Sequence, residues 1–386
     1  MRAVPRRATI FVVVAAALAA SAAPAVAAPL PRGFFGVMAN GPLDSLGSDL
    51  GPEVGVMAAS GVSSIRVPFQ WAEIQPYASF ADVPASQRGR FVDGGDGIPS
   101  DFAATDNLVV EAARRGISTL ALVLRAPNWA AHDPGHVQPS PRDPAQYARF
   151  LQTLIARYGP RGKVWAAHPD LARVPVRAWQ IWNEPSIGKY FSQQPYVRPY
   201  ARLLAASYAA VHRADPGATV VMAGLANFTT GGGVSLSWRE LSKLYRAGIK
   251  GHFDAVAVHP FSGRPSNSVK ITRLNREVMN RNGDARKPLW LTEITWASAR
   301  GQKPTSAGWE TTEAGQALRL RQAYALYARE RRRLNLQRIY WYTWATADRD
   351  SSSSFAWSGL RRAEVDGRYV DKPALRSFRA LARSSR

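Results

Sequence analysis

Two glutamates carry the chemistry that this chain is able to do. Glu184 stands in Trp182-Asn183-Glu184-Pro185, where the apolar run Ala178 to Trp182 stops abruptly. Glu293 follows Thr292 near the end of a second apolar run, PLWLTEI. An ionised carboxylate next to an apolar core is expensive unless something compensates it. Each acid is therefore either a capping carboxylate in a loop or a catalytic group. Three other polar or aromatic residues hold comparable positions: Arg66 inside VSSIRVPF, His259 closing FDAVAVH and Trp344 closing RIYWYTW. Two carboxylates facing each other across a sugar are the apparatus that cleaves a glycosidic bond. At a separation of about 5 Å one attacks the anomeric carbon, while the other first donates and then takes a proton. The pair must differ in protonation. Burial and a neighbouring negative charge keep the proton on one acid, and an adjacent arginine holds the other ionised.

Such a site needs elements that bring distant residues to one face. Eight short runs are rich in Val, Ile and aromatics and apolar on both faces, as buried parallel strands should be: 33–39, 62–69, 117–124, 176–182, 219–225, 253–259, 288–294 and 338–344. Amphipathic stretches alternate with them. LGPEVGVMAASG is a short first helix. DFAATDNLVVEAARRG and DPAQYARFLQTLIARYG carry an acid at the start and glycine at the stop, the second with proline at the first helical position. YVRPYARLLAASYAAVHRADPG, SLSWRELSKLYRAG, TRLNREVMNRNG and TTEAGQALRLRQAYALYARERRR follow, and KPALRSFRALAR closes the chain. Eight strands alternating with eight helices predict an α/β fold, a (β/α)8 TIM barrel. A doubly wound open sheet is the competitor, but GVMANGPLDS after the first run is not the glycine-rich turn such a sheet usually carries. In a (β/α)8 barrel the site lies at the C-terminal ends of the strands, where Arg66, Asn183, Glu184, His259, Glu293 and Trp344 converge.

The chain has 386 residues, no cysteine and a net charge of +22. Residues 1–28 have a basic start, an apolar stretch and small residues ending at Ala27-Ala28, the layout of a secretory signal peptide. Cleavage after Ala27 or Ala28 fits, and residues 29–386 are then a single barrel domain of a secreted, extracellular protein. Without cysteine, disulfides and thiolate metal sites are excluded. The excess positive charge favours electrostatic association with anionic wall or matrix polymers. The densest cluster, Arg329 to Arg333, reads as a solvated helix end. The scattered basic residues and the absence of a recognition module argue against nucleic acid as partner. His132 and His136 have metal-ligand spacing for a helix, but Pro134-Gly135 makes the segment a loop, so neither metal nor cofactor is expected. Glu310, Glu313, Asp348 and Asp350 fall in loops, as solvated charges or subsite contacts. A monomer is expected.

Trp182-Asn183-Glu184-Pro185 ending the fourth run and Thr292-Glu293 ending the seventh resemble the retaining glycosidases of glycoside hydrolase clan A, with families 39 and 5 nearest. Arg66, Trp71, Ile74 and Pro76 in the second run, and the tail DGRYVDKPALRSF, are also similar to family 39. The likeness covers nearly the whole chain after the leader by topology, with specific motifs in only a few segments. It implies that Glu184 is the acid/base and Glu293 the nucleophile. Asn183 would bond the sugar's 2-hydroxyl, Arg66 would orient Glu293, His259 would line the site and Trp344 would form the sugar platform. Among Trp71, Trp129, Trp182 and Trp296, one or two are expected to line subsites, which favours an open, endo-acting cleft. One departure stands out: where the family often has His-x-Tyr on the sixth strand, this chain has His259-Pro260-Phe261, and phenylalanine cannot donate a hydrogen bond. The expected activity is hydrolysis of a β-linked glycan by double displacement, without cofactor. A non-catalytic glycan-binding barrel and a transglycosylase are the alternatives.

Overall fold

A computed structural model describes residues 30, 31, 33–40, 43, 50–230, 233–302, 308–349 and 351–384. The expected leader and Asp350 lie outside them. The eight runs form the eight parallel strands of a barrel: β1 Phe35–Met38, β2 Ser64–Gln70, β3 Ser118–Leu124, β4 Ala178–Ile181, β5 in two pieces (Thr219–Val221 and Leu225–Ala226), β6 Val256–His259, β7 Leu289–Ile294 and β8 Leu336–Trp341. Neighbours pair in chain order from β1 to β5, and β8 pairs back onto β1. The first piece of β5 bonds to β4 and the second to β6, so the split strand closes the ring.

A helix follows each strand: α1 Leu50–Ala59, α2 Ala103–Arg114, α3 Pro144–Tyr158, α4 Val197–Ala214, α5 Ser237–Arg246, α6 Pro265–Arg281, α7 Glu313–Leu334 and α8 Pro373–Ser384. The punctuation works as the residue types require. Asp143 caps α3 by accepting from Ala145 N, with Pro144 at the first position. Thr312 caps α7 through Gly315 N, and Asn335 ends it in the left-handed conformation at φ +44°. Helix α6 begins at Pro265, seven residues earlier than its sequence pattern suggests, because a proline at the first turn offsets the weak helix formers Ser266, Asn267 and Ser268. Arg329, Arg332 and Arg333 are exposed at the end of α7, the solvated helix end expected of them.

The barrel interior is layered. Alternation turns Leu120, Ala178, Val221, Ala257, Trp290 and Tyr340 inward as one buried cluster. Tyr340 fits because β1 has a glycine opposite it: a Cβ on Gly36 would lie 2.5 Å from the ring. The larger core lies between the strands and the surrounding helices. Above the interior apolar layer the next inward residues are polar (Arg66 on β2, Gln180 on β4, His259 on β6), and they begin the site.

Candidate active site

Arg66 has no exposed surface, and its guanidinium is fully committed. Nη1 donates to Glu293 Oε1 at 2.6 Å, Nε to Gln180 Oε1 at 2.6 Å and Nη2 to Asn183 Oδ1 at 2.8 Å. Three strands are thus tied through one planar donor fork, a geometry that lysine cannot supply. The arginine expected beside a carboxylate is there, and its partner is Glu293.

Adjacent residues of a regular strand point to opposite faces. Yet Thr292 meets His259 and Gln180, while Glu293 meets Arg66. The pairing of β7 with β8 shifts register between Leu291 and Ile294, and this irregularity lets both residues face the barrel mouth.

Glu184 is placed differently. Strand β4 ends at Ile181, and the chain then turns through left-handed conformations at Trp182 (φ +69°) and Glu184 (φ +42°). Such backbone costs about 1–3 kcal/mol per non-glycine residue and persists only where its surroundings enforce it. Two contacts do so: Glu184 N donates to Gly224 O, and the buried Trp182 donates through Nε1 to Tyr190 O at 2.6 Å.

His259 lies behind the two acids and is fully buried. Its Nδ1 is 2.6 Å from Glu184 Oε1, and its Nε2 is 2.9 Å from Thr292 Oγ1 and 3.7 Å from Glu293 Oε1. The space for this ring explains the break in β5. A Cβ on Gly224 would sit 2.0 Å from His259 Nε2, and Ala223 N turns away to donate to Tyr200 Oη. Sequence periodicity reads 219–225 as one run because it does not register the imidazole filling the missing side chain's place.

Burial sets the electrostatics. Glu184 is pushed up from the usual 4.5 to about 7 by desolvation, with the Arg66 charge pulling the other way. His259 is pushed down to about 4 by burial, opposed by the negative charge of Glu293. At neutral pH the imidazole is therefore uncharged, and Glu184 is poised between acid and base. A neutral imidazole donates through only one nitrogen. When Nδ1–H donates to Glu184 Oε1, Nε2 accepts from the Thr292 hydroxyl, and the other oxygen of Glu184 is left to carry a proton.

The acids open into a pocket of about 220 Å³ lined by Met38, Asn40, Pro68, Gln70, Leu122, Leu124, Gln138, Asn183, Glu184, Tyr190, Glu293, Tyr342 and Phe355. Tyr190 and Tyr342 were not among the residues expected from sequence. Burial and the charges of Glu184 and Glu293 raise the Tyr190 phenol to about 12. Burial and the Glu293 charge also raise Tyr342. Both phenols stay protonated beside the carboxylates. Tyr342 lies just beyond the end of β8, where strand alternation no longer fixes the direction of a side chain.

The tryptophans depart from expectation. Trp344 is fully buried, outside the pocket wall, and donates from Nε1 to Glu53 Oε2 at 2.8 Å. Strand β8 ends at Trp341, so the alternation that would aim Trp344 inward no longer applies. Trp71 stacks on Phe150 and bonds Gln75. Trp129 meets the edge of Trp71 and donates to Gln75 O. Trp296 is buried and donates to Ser262 O. None of the five tryptophans lines the pocket. Phe261 stacks against Trp309 and meets the edge of Phe355, forming an aromatic wall rather than touching an acid.

The acids expected in loops are structural as well, and Glu313 lies not in a loop but at the first position of α7. Asp348 pairs with the buried Lys372 at 2.7 Å, Glu313 with Arg362 at 3.3 Å, and Glu310 accepts from Ser354. Among the described residues, the one group of three acids or histidines with converging donor atoms is Glu184, His259 and Glu293, whose donor atoms lie within 4.8 Å of one another. The Arg66 cation already occupies Glu293, so this set is compensated without a metal. His136 Nδ1 accepts from Gln138 N instead.

No protein-family model matches the sequence, and no curated protein matches it. Solved structures do share its fold. A family 39 glycoside hydrolase from Bacteroides cellulosilyticus superposes with a TM-score of 0.62 at 18% identity, over 91% of this chain and 64% of that one. A glucosidase from Croceicoccus marinus gives 0.65 at 17%, over 92% and 69%. A family 1 β-glucosidase from Thermotoga maritima gives 0.59 at 10%, over 92% and 99%. The chain thus spans slightly under two thirds of the first of these structures. Likeness at this identity establishes the (β/α)8 barrel.

Proposed function

We propose that the protein is a retaining glycosidase of the clan A type. The observation that carries this is the separation of the two acids: a carboxylate oxygen of Glu184 and one of Glu293 lie within 4.8 Å. Retaining enzymes hold the pair about 5–5.5 Å apart, whereas inverting enzymes leave about 6.5–9.5 Å for a water. The unequal environments support distinct roles. Glu293, ion-paired with Arg66, is the nucleophile, and Glu184, raised to about 7, is the acid/base.

In the first step a Glu293 oxygen bonds to the anomeric carbon as the bond to the leaving oxygen breaks, and the Glu184 proton passes to that oxygen. In the second, water gives its proton to Glu184 and its oxygen to the anomeric carbon, releasing Glu293. Arg66 stabilises the carboxylate before attack and again as it departs. Asn183, oriented by Arg66 through Oδ1, keeps its amide NH2 for a sugar hydroxyl.

The pocket also bears on the substrate. No lysine or arginine is among its lining residues, so it suits a neutral sugar rather than a uronate or sulfated one. Drug-sized ligand sites run to about 300–1,000 Å³. A pocket of about 220 Å³ suits a terminal sugar or small glycoside. The open-cleft expectation rested on tryptophans that lie outside the pocket wall. Hydrolysis of a β-linkage and export through residues 1–28 are carried in this proposal by the sequence resemblance and by the leader's layout.

The test is the anomer first released from a panel of neutral and uronic aryl β-glycosides, followed by proton NMR. Retained configuration on a neutral glycoside is expected, and a first product of inverted configuration would sink the mechanism. The pH profile adds a second expectation. The proton on Glu184 is lost as pH rises through about 7, so kcat/KM for a poor leaving group should fall about tenfold per pH unit above that value. The stability linkage has the same sign. A raised carboxylate contributes stability below 4.5 that disappears as pH rises through about 7. A profile flat to pH 9 on such a substrate would remove Glu184 from the acid role.

A further inference from the structure

We propose that a second cavity beside β2 binds a further neutral sugar, the one attached on the non-reducing side of the sugar that reacts, so that the substrate carries at least two sugars before the cleaved bond; this rests on the reading of the site as a glycosidase.

The cavity has about 240 Å³, as much room as the catalytic pocket of about 220 Å³, and both are lined by Pro68 and Gln70. They meet where the barrel wall has a gap. Strand β1 pairs with β2 only as far as Met38 with Arg66, whereas β3 stays paired with β2 as far as Gln70. Among the described residues, Val67 to Gln70 therefore have no strand on their β1 side. Pro68 lacks an N–H, which suits it to an unpaired edge. The direction of the chain follows from the acids. Glu184, which gives its proton to the leaving oxygen, stands on the β4 side of the catalytic pocket, and the second cavity adjoins the β2 side. A glycan that runs through both has its cleaved bond at the acids and its next sugar beside β2, away from the leaving group.

The cavity is built for an uncharged ring. Ala72, Pro76 and Ala104 line it over a buried floor of Val67, Ile74 and Leu108. An apolar bed with a few fixed polar groups is the usual make-up of a small-molecule site. The one cation among its described lining residues, Arg90, is closed on Asp101 Oδ2 through Nε at 3.1 Å and Nη2 at 2.7 Å, so no free positive charge awaits an anionic group. At the junction of the two cavities Arg125 Nη1 donates to Gln70 Oε1 at 3.1 Å and to Glu73 Oε1 at 3.4 Å. It does so from a left-handed backbone (φ +59°) just after β3, a conformation that persists only where its surroundings enforce it. Gln70 is thus held by its carbonyl. Its Nε2 has no partner among the described residues and remains a donor between the two sugars.

The experiment measures kcat/KM for nitrophenol release by wild type and Ala104→Trp. The substrates are the nitrophenyl β-glycoside of the accepted sugar and those of disaccharides in which a second neutral sugar is joined to it at each hydroxyl in turn. Ala104 is exposed on α2 and lines the cavity, so the indole fills it from the surface. Wild type should favour one disaccharide over the monosaccharide about tenfold or more and release that disaccharide intact, because binding energy from a remote sugar is used to orient the reacting one. In Ala104→Trp that ratio should fall to within about twofold of one. A wild-type ratio near one for every disaccharide, single sugars released in sequence from the outer end, or a ratio that Ala104→Trp leaves as it was, overturns the second sugar site while leaving the chemistry of the acids standing. A wild type inert on every glycoside overturns both.

Discussion

Glu293→Ala is expected to lower kcat on an activated aryl glycoside about 10⁴-fold or more, the scale on which removing a covalent nucleophile acts. Its carboxylate is the one that Arg66 holds at 2.6 Å, and it opens on the pocket opposite the acid whose proton is retained by burial. The variant also leaves a gap on the face from which attack must come. A small anion such as azide can enter that gap, bond to the anomeric carbon and expel the good leaving group without needing a proton. The recovered product should be a glycosyl azide of configuration opposite to the substrate. Glu184→Ala should behave in the complementary way. It should lose about 10²–10⁴-fold on poor leaving groups, which need protonation, and far less on dinitrophenyl glycosides, which do not. Steady-state rates across leaving groups, with NMR of the azide product, check both variants. Full activity in Glu293→Ala, or an azide product of retained configuration, would assign the two acids wrongly.

Arg66→Met should destabilise the fold by about 3–5 kcal/mol, because it removes one partner of a buried ion pair and leaves the other charge uncompensated. The loss is not confined to Glu293. Gln180 Oε1 and Asn183 Oδ1 lose their donors in the same stroke. The three acceptors sit on β4, just beyond β4 and on β7, so the ties across the barrel mouth go together. Activity should fall with stability, since Glu293 loses the 2.6 Å bond that orients its carboxylate in the site. Arg66→Lys should recover part of the stability and little of the activity. It restores the charge but not the planar fork that reaches three residues. Urea unfolding midpoints with equal slopes measure the first effect, and kcat measures the second. A midpoint unchanged in Arg66→Met would mean that the guanidinium is not what holds these strands in place.

The barrel and the acid pair were legible in the residues because both depend on local pattern. Buried parallel strands need runs apolar on both faces, and such runs alternate with amphipathic stretches eight times in order, with cap and stop residues marking some of the helix ends. Glu184, Glu293, Arg66 and His259 could be picked out because a charged or titratable group beside a buried run is costly unless it has a partner or a task. The partners themselves were not legible. Glu293 faces the site only through the register shift in β7, and His259 fits only where Gly224 has no side chain. Tyr190 and Gln138 sit in loops whose direction is set by bonds to other loops.

The tryptophans show the boundary most sharply. Their number and their places at strand ends suggested sugar platforms, but Trp71, Trp129, Trp296 and Trp344 pack on aromatic rings or bond to groups from other segments. Sequence by itself determined which elements form and which groups are too polar to be idle. Tertiary structure alone decided which way each strand-end residue turns once pairing stops, which ring fills which gap, and which strand edge is left without a partner. Those outcomes depend on packing between residues far apart in the chain, and no local periodicity encodes them.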